Sequence, residues 1–493
     1  MNRDVALPKS WVIAQLNDLS EVHYGKALPE KNRIARGDVP VVGSSGVVGR
    51  HNAALISDNC VVVGRKGAAG AVHLIAGPCW PIDTAYFLQP PEGLDIRWLS
   101  HALGTKELAQ LDKSTAIPSL SRDDLHRVLV PVAPRAEQTR ILEKLEELLS
   151  DLDAGVAELK AAQKKLAQYR QSLLKAAVEG SLTADWRKRN KPTETGAQLL
   201  QRILTERRAR WEAKQLAKFN EQGNTPPKDW QKKYPEPVQP ESADLPELPE
   251  GWVWATVDCL LSGIETGKSF KCVERPPTAD ETGVVKVSAV SWGEYDEQES
   301  KTCTDEERVS PELMVKSGDF LFSRANTVEL VGACVIAKKV SLNVMLSDKI
   351  LRLVLVLDEL KPWLLYLLRS KIGRRQIELL ATGNQESMKN IGQERLRSIA
   401  IPLGPKGELD YAIALVEQEL TSASQQISAN EFGLKQATAQ RQNILRAAFS
   451  GQLVPQDPND EPASVLLARI RAERAAAAVP KHPRTRLHTR ELA

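Results

Sequence analysis

The residues best suited to chemistry lie on two short loops, each following an apolar run. The first is Gly64-Arg-Lys-Gly-Ala-Ala-Gly70, after the run Cys60 to Val63. Its glycines suggest a phosphate loop, but the spacing is not that of Walker A and no Gly-Lys-Ser/Thr is present. No acidic residue sits where a dinucleotide site needs one. What remains is a tight turn presenting Arg65 and Lys66. The second loop, Ser323-Arg324-Ala-Asn326-Thr327, occupies the comparable place after Asp319 to Ser323. An arginine on a loop after a strand suits contact with phosphates or base edges. The plainer alternative is a solvated surface arginine. Two polar loops later in the chain carry the same chemistry: Lys113-Ser-Thr115-Ala-Ile-Pro-Ser119-Leu-Ser121-Arg122 and Thr382-Gly-Asn384-Gln385-Glu-Ser387-Met-Lys389-Asn390.

Other patterns dissolve on inspection. Asn224-Thr-Pro-Pro227 imitates an amino-methyltransferase motif but lacks the aromatic residue and follows no strand. Asp153, Glu158 and Lys160 imitate a nuclease set, yet they fall on a long helical pattern whose spacing does not cluster them, so they read as a solvated face. None of the seven histidines pairs at metal spacing. No Ser/His/Asp set recurs, and no catalytic or metal-binding residue is assigned. The six cysteines form no Cys-x-x-Cys pair, which fits reduced thiols in a cytoplasmic protein. Neither a secretory leader nor a membrane span is expected. A net charge of +3 says little about nucleic acid unless the cations cluster.

The loops must be held by something, and the strongest periodic signal shows what. Leu142, Leu145, Leu149, Leu152, Val156, Leu159, Leu166 and Leu173 recur in steps of three and four, or in their multiples. That is a heptad seam, interrupted by Gln163 and Arg170. A helix from Ala136 to about Val178 would be roughly 64 Å long, and its single apolar stripe needs a partner helix. The chain supplies one by containing itself twice. Tyr169-Arg-Gln-Ser-Leu-Leu-Lys-Ala-Ala-Val-Glu-Gly-Ser-Leu-Thr183 reappears as Gln440-Arg-Gln-Asn-Ile-Leu-Arg-Ala-Ala-Phe-Ser-Gly-Gln-Leu-Val454, 271 positions on. The second seam, in a helix from about Glu408 to Phe449, is Ile413, Val416, Leu420, Ile427, Leu434 and Ile444. Arg170 recurs as Arg441, and such polar seam positions are expected to fix register. Upstream, Leu7-Pro-Lys-Ser-Trp-Val12 echoes Leu248-Pro-Glu-Gly-Trp-Val253, so the second unit is about 30 residues longer between its Trp and its helix.

The expected organisation is a first mixed α/β head (residues 1–134), a long helix (135–180), a basic helix and Pro-rich linker (181–247), a second head (248–405), a second long helix (406–451), and a short helix with a basic tail (452–493). Strands are expected at Val39–Val42, Cys60–Val63, Ala71–Ile75, Gly283–Val290, Asp319–Ser323, Ala333–Ala337 and Ile350–Leu357. Helices are expected at Asp95–Gly104, Thr105–Asp112, Ala197–Leu216, Lys361–Leu368, Lys371–Leu380 and Pro462–Ala478. The fold class is α+β: two mixed heads joined by two long helices in an antiparallel intramolecular coiled coil with a pseudo-two-fold repeat. The repeated parts are the helices, while the heads diverge in sequence.

Pro134-Arg-Ala-Glu137-Gln138-Thr-Arg-Ile141 opens the first long helix, and a Leu-Leu-Lys-Ala-Ala type signature with Gly-x-Leu closes both. In this order they resemble the specificity subunit of a type I restriction-modification system, over about Leu7 to Arg474. The second copy departs at its start, with Glu408-Leu409 in place of Glu-Gln. The resemblance implies a non-catalytic DNA-binding subunit in which each head is a target recognition domain reading half of a split DNA site. It implies two methyltransferase subunits and two restriction subunits as partners, with S-adenosylmethionine, ATP and magnesium bound by those partners and no cofactor bound by this chain. The candidate DNA contacts are Lys26, Ser44, Ser45, Arg65, Lys66, Thr115, Ser119 and Ser121 in the first head. In the second they are Lys268, Arg324, Asn326, Thr327, Asn384, Gln385, Ser387 and Lys389. The rival readings are a coiled-coil adaptor whose heads bind proteins and an enzyme of unrecognised chemistry.

Overall fold

The computed structural model describes residues 7–112, 117–241, 245–385 and 388–478. They form two compact units, Met1–Ala161 with Asn430–Ala493, and Ala162–Ala429. The division falls inside both long helices, Arg135–Val178 and Lys406–Phe449. Each unit therefore holds one head, the start of one long helix and the end of the other.

The two heads share one topology although their sequences diverge. In the first, strand Val12–Gln15 runs antiparallel to Leu129–Val132, with Val12 opposite Val132. In the second, Val253–Thr256 pairs the same way with Ala400–Leu403, Val253 opposite Leu403. Each head then carries a four-stranded antiparallel sheet. Its order is His23–Tyr24, Ala85–Leu88, Cys60–Gly64, Val72–Ile75 in the first. In the second it is Leu261–Thr266, Ile350–Leu355, Phe320–Ser323, Cys334–Ile336. Each also carries a three-stranded sheet whose central strand, Val39–Gly43 or Gly283–Val285, has one antiparallel and one parallel neighbour. Strands buried on both faces, such as Cys60–Gly64 and Phe320–Ser323, read as unbroken apolar runs. The second head's extra length sits largely in residues 286–299 and 303–319, where the first head has a tight hairpin and a short loop.

The landmarks repeated in sequence meet in space. The Trp11 indole N–H donates to Glu137 at 2.9 Å, and Trp252 donates to Glu408 at 3.1 Å. Trp98 and Trp363 pack edge-on against those indoles and donate to the carbonyls of Pro131 and Pro402. Both carboxylates are fully buried, but they are partnered differently. Glu408 takes a salt bridge from Arg187 at 2.6 Å and a hydrogen bond from Thr183. Glu137 accepts instead from the neutral Gln456 amide at 2.5 Å. Burial pushes the Glu137 carboxyl above its ordinary value, only partly offset by the Trp11 and Gln456 hydrogen bonds. At the changed start of the second helix, Leu409 is buried in the core, while Gln138 bonds the Ala133 carbonyl and the Asp95 N–H.

Each head's core runs on into helices. The first joins Trp98, Leu99 and Leu103 to Ile141, Leu142, Leu145 and Leu149, then to Phe449, Leu466, Leu467 and Ile470. The second joins Trp363, Leu364 and Leu367 to Leu409 and Val416, then to Leu173, Val178, Leu199 and Ile203. Within each unit the long helices run antiparallel. Leu159 approaches Gly433 and Asp153 pairs with Arg441 in the first unit, and Tyr169 donates to Glu419 at 2.6 Å in the second. Leu152, Val156, Leu159 and Leu166 are only half-buried, as are Ile413, Leu420, Ile427, Leu434 and Ile444, because a two-helix seam covers one face of each side chain. Gly180 and Gly451, at φ +70° and +74°, provide the left-handed turns that stop the two helices.

Several sequence expectations need correction. Thr105–Asp112 is not an α-helix; only a 3₁₀ turn, Leu108–Leu111, forms there. The strand expected to reach Val290 ends at Val285, and a 3₁₀ turn, Val287–Ala289, follows. The helix expected over Ala197–Leu216 runs Gly196–Glu221, with Thr195 and Gln198 in a capping box. The Pro-rich stretch 224–241 is docked rather than free: Tyr234 is buried and packs edge-on against Trp211. Arg207, in the helix expected to be basic, is buried and bonds Tyr234, Asp258 and the Leu261 carbonyl. Asp153 lies on a solvated face, as expected, and from there makes a cross-helix ion pair with Arg441.

Candidate nucleic-acid interface

The two loops singled out by sequence occupy equivalent places in the two heads, fixed by the same backbone bonds. The Arg65 N–H donates to the Thr84 carbonyl and the Arg65 carbonyl accepts from Leu120, both at 2.9 Å. The Arg324 N–H donates to the Lys349 carbonyl and the Arg324 carbonyl accepts from Ile391, also at 2.9 Å. Each arginine thus leaves the end of a buried strand and is clamped between two further segments. Gly64 permits the first clamp, since a Cβ there would collide with the Ala68 carbonyl.

Side chains gather around Arg65. Its guanidinium donates to the Asp83 carbonyl at 2.8 Å and lies 5.2 Å from the Tyr24 ring, with Arg122 at 5.6 Å from the same ring. Tyr24 is 49% exposed, so an open aromatic edge is flanked by two cations. Beneath it, the Tyr86 phenol is pushed up to about 12 by burial and by its neighbour Tyr24, against the pull of Arg65. Lys26 follows Tyr24 by two residues, and its carbonyl accepts from the Trp80 indole at 2.9 Å. Lys66 bridges Ser119 in a short antiparallel contact, and Gly67 donates to the Pro118 carbonyl. Ser44 and Ser45 form the turn before strand Gly46–His51, where the Ser44 carbonyl lies 3.2 Å from the His73 ring. Ser44, Arg65, Lys66 and Ser119 therefore come together, with Ser44 beside Gly64 and Gly67, whereas no contact ties Lys26 or Ser45 to them among the described residues. Ser121 does not need a ligand to explain it, because its hydroxyl caps helix Arg122–His126. Thr115 lies outside the described residues.

In the second head, Ala325–Asn326, Met388–Asn390 and Thr382–Gln385 form a small sheet around Arg324. The Arg324 guanidinium reaches the Asn390 side chain at 3.4 Å, the Asn326 side chain accepts from the Thr327 N–H, and Lys389 donates to the Gly383 carbonyl at 2.7 Å. Asn384 and Gln385 are exposed. Lys268 is exposed one residue after Gly267, whose N–H donates to the Ser347 carbonyl, as the Gly25 N–H does to Ala85. Ser387 lies outside the described residues.

Sequence reasoning missed Tyr24 and read Arg122 only as the end of a polar loop. A signal for the first was present: Gly25-Lys26 and Gly267-Lys268 recur at nearly the same distance from Trp11 and Trp252. Arg122 is brought in only by tertiary contacts. Among the described residues, no group of three or more His, Cys, Asp or Glu side chains could hold a metal ion. No helix among them is long and apolar enough to cross a membrane.

Two like-folded heads thus each carry a basic polar loop cluster at the end of a buried strand. Residues 8–161 match the model of the type I restriction modification DNA specificity domain, and the chain is similar along nearly its whole length to type I restriction enzyme specificity subunits. The EcoEI specificity subunit of Escherichia coli is 30% identical over 304 residues, covering 61% of this chain and about half (48%) of that protein. The EcoKI specificity subunit of Escherichia coli (strain K12) is 22% identical over 518 residues, covering 97% of this chain and 98% of that one. The fold also matches a chain solved in a study of the assembly and conformational transition of the type I R-M system. There the TM-score is 0.56 at 17% identity, over 91% of this chain and 99% of that one.

Proposed function

We propose that this chain is the sequence-reading subunit of a type I restriction-modification complex and has no catalytic activity of its own. Each head reads one half of a split, asymmetric double-stranded DNA site through its loop cluster. The paired long helices set the unread spacer and dock two methyltransferase subunits, and two restriction subunits complete the assembly. S-adenosylmethionine, ATP and magnesium belong to those partners, and the complex works in the cytoplasm in host defence. The observation that carries the reading is the equivalence of Arg65 and Arg324. Two heads of unlike sequence keep one backbone clamp and place a cation on it, as two readers of different half-sites require. Cations and amide or hydroxyl side chains on such loops supply phosphate anchoring and base-edge hydrogen bonds.

The test is a head exchange in the complete methyltransferase complex. Replacing residues 253–403 with the second head of a relative should change one half of the methylated motif and leave the other intact. A change in both halves would show that the heads do not read independently. Loss of DNA specificity without loss of DNA binding would favour a protein-binding adaptor.

A further inference from the structure

The repeat is broken at one functionally suggestive place. In the first unit Arg441 is neutralised across the helix pair by Asp153. The matching positions in the second unit are Arg170 and Ser424, each 271 positions away, so the acid is missing. Among the described residues Arg170 has no ion pair. It lines a cavity of about 400 Å³ inside the second unit instead.

Two further arginines line the same cavity, held in place from behind. Arg369 donates to the Cys334 and Gly293 carbonyls at 2.7 Å. Arg374 donates to the Val328 carbonyl at 3.1 Å, and its guanidinium lies 4.7 Å from the Trp292 ring. The Trp292 indole is itself fixed by the Glu329 carbonyl at 2.8 Å. Backbone carbonyls position these guanidinium groups without cancelling their charge. The only carboxylate paired with them among the described residues is Glu378, 3.4 Å from Arg374 and half exposed. The remaining walls are mostly apolar or aromatic (Ala167, Leu174, Leu420, Ile427 and Tyr366), with Gln171 the one further polar side chain. The volume falls in the range of small-molecule sites, which combine apolar walls with a few placed polar groups. Planar guanidinium groups match the forked oxygens of a carboxylate, and the apolar walls beside Arg170 suit a ring that carries one.

We propose that this cavity binds an aromatic carboxylate, its ring against Leu174, Leu420 and Ile427 and its carboxylate on Arg170, replacing the acid that the first unit supplies from Asp153. The proposal is independent of DNA reading. It predicts that the free chain binds 1-naphthylacetate in calorimetric titration at least tenfold more tightly than the neutral 1-naphthylacetamide. Ser424→Asp supplies the missing acid and should weaken naphthylacetate binding tenfold or more. Arg170→Gln, on a half-exposed helical surface, should do the same. Absence of binding at millimolar naphthylacetate would overturn the proposal. So would equal binding of the amide, or an affinity unchanged in both variants.

Discussion

At the scale of single residues, the two arginines and the two buried glutamates do different work. Arg65 and Arg324 are tethered by backbone bonds and leave their charge near the surface, so removing either should not unfold its head. On the proposed function, Arg65→Ala and Arg324→Ala each remove about one phosphate or base contact. Each should lower DNA affinity by roughly tenfold and reduce the slope of log K against log salt by about 1. Filter binding across a salt series measures both, and an unchanged slope in either variant removes that arginine from the interface. Arg187 is the opposite case. It is the cation paired with a carboxylate that has no exposed surface. Arg187→Ala would leave the buried Glu408 side chain without its cation, with only Thr183 and Trp252 to bond it. A loss of about 3 kcal/mol in denaturant unfolding is expected. Lysine at this position should restore only part of it, because it cannot reproduce the forked contact. No such sensitivity is expected at Gln456, where the partner of Glu137 is neutral.

At the scale of elements, what could be read from sequence depended on whether the signal was periodic. The long helices were legible to within two residues, since heptads and glycine stops are local. The buried strands were legible as apolar runs. The common topology of the heads was not, because it resides in pairings such as Val12 with Val132 that no local pattern announces. The docked stretch around Tyr234 was hidden for the same reason: its prolines speak of a linker, and only the Trp211 and Arg207 contacts show that it is held. In the candidate interface, the arginines could be found because each follows a strand, whereas Tyr24 and Arg122 are joined to them only through folding. On the proposed function, the helix pair makes a quantitative prediction. Inserting one heptad into each long helix, after Ala161 and after Ala429, keeps both seams in phase and leaves each unit's core contacts intact. At 1.5 Å per residue the pair would lengthen by about 10.5 Å, or roughly 3 base pairs of spacer at about 3.4 Å per pair. Sequencing the methylated motif of cells carrying the lengthened chain gives the answer directly, and an unchanged spacer would refute the ruler.

At the scale of the whole molecule, the two units are alike in frame and unlike in titratable groups. Every histidine among the described residues lies in the first unit, and none occurs between residues 162 and 429. Two of them are perturbed in the same direction. Burial holds His101 below its ordinary value, with Arg97 and Arg441 adding to the effect and Glu146 opposing it. Burial likewise lowers His126, helped by Arg122 and Arg474 and opposed by Asp123 and Glu21. A histidine whose folded value is depressed takes up its proton more readily when unfolded. Its contribution to stability is therefore complete above about pH 6.5 and is lost as pH falls through the lowered folded value. The first unit should lose stability in mild acid, in a window where the second unit has no histidine to titrate and most carboxylates remain ionised. Glu137 works in the opposite sense: its folded value is raised, so its stabilising share is full below the ordinary carboxyl range and lost as pH rises through the raised value. Hydrogen exchange on the intact chain at pH 7.5 and 5.5 separates these effects. Peptides from residues 7–112 and 430–478 should lose protection at the lower pH, and those from 245–385 should not once intrinsic exchange rates are corrected. A chain carrying both His101→Gln and His126→Gln should show a much smaller difference between the two pH values in the first unit. Equal loss in both units, or an undiminished loss in the double variant, would mean that these half-buried imidazoles are not what makes the first unit acid-sensitive.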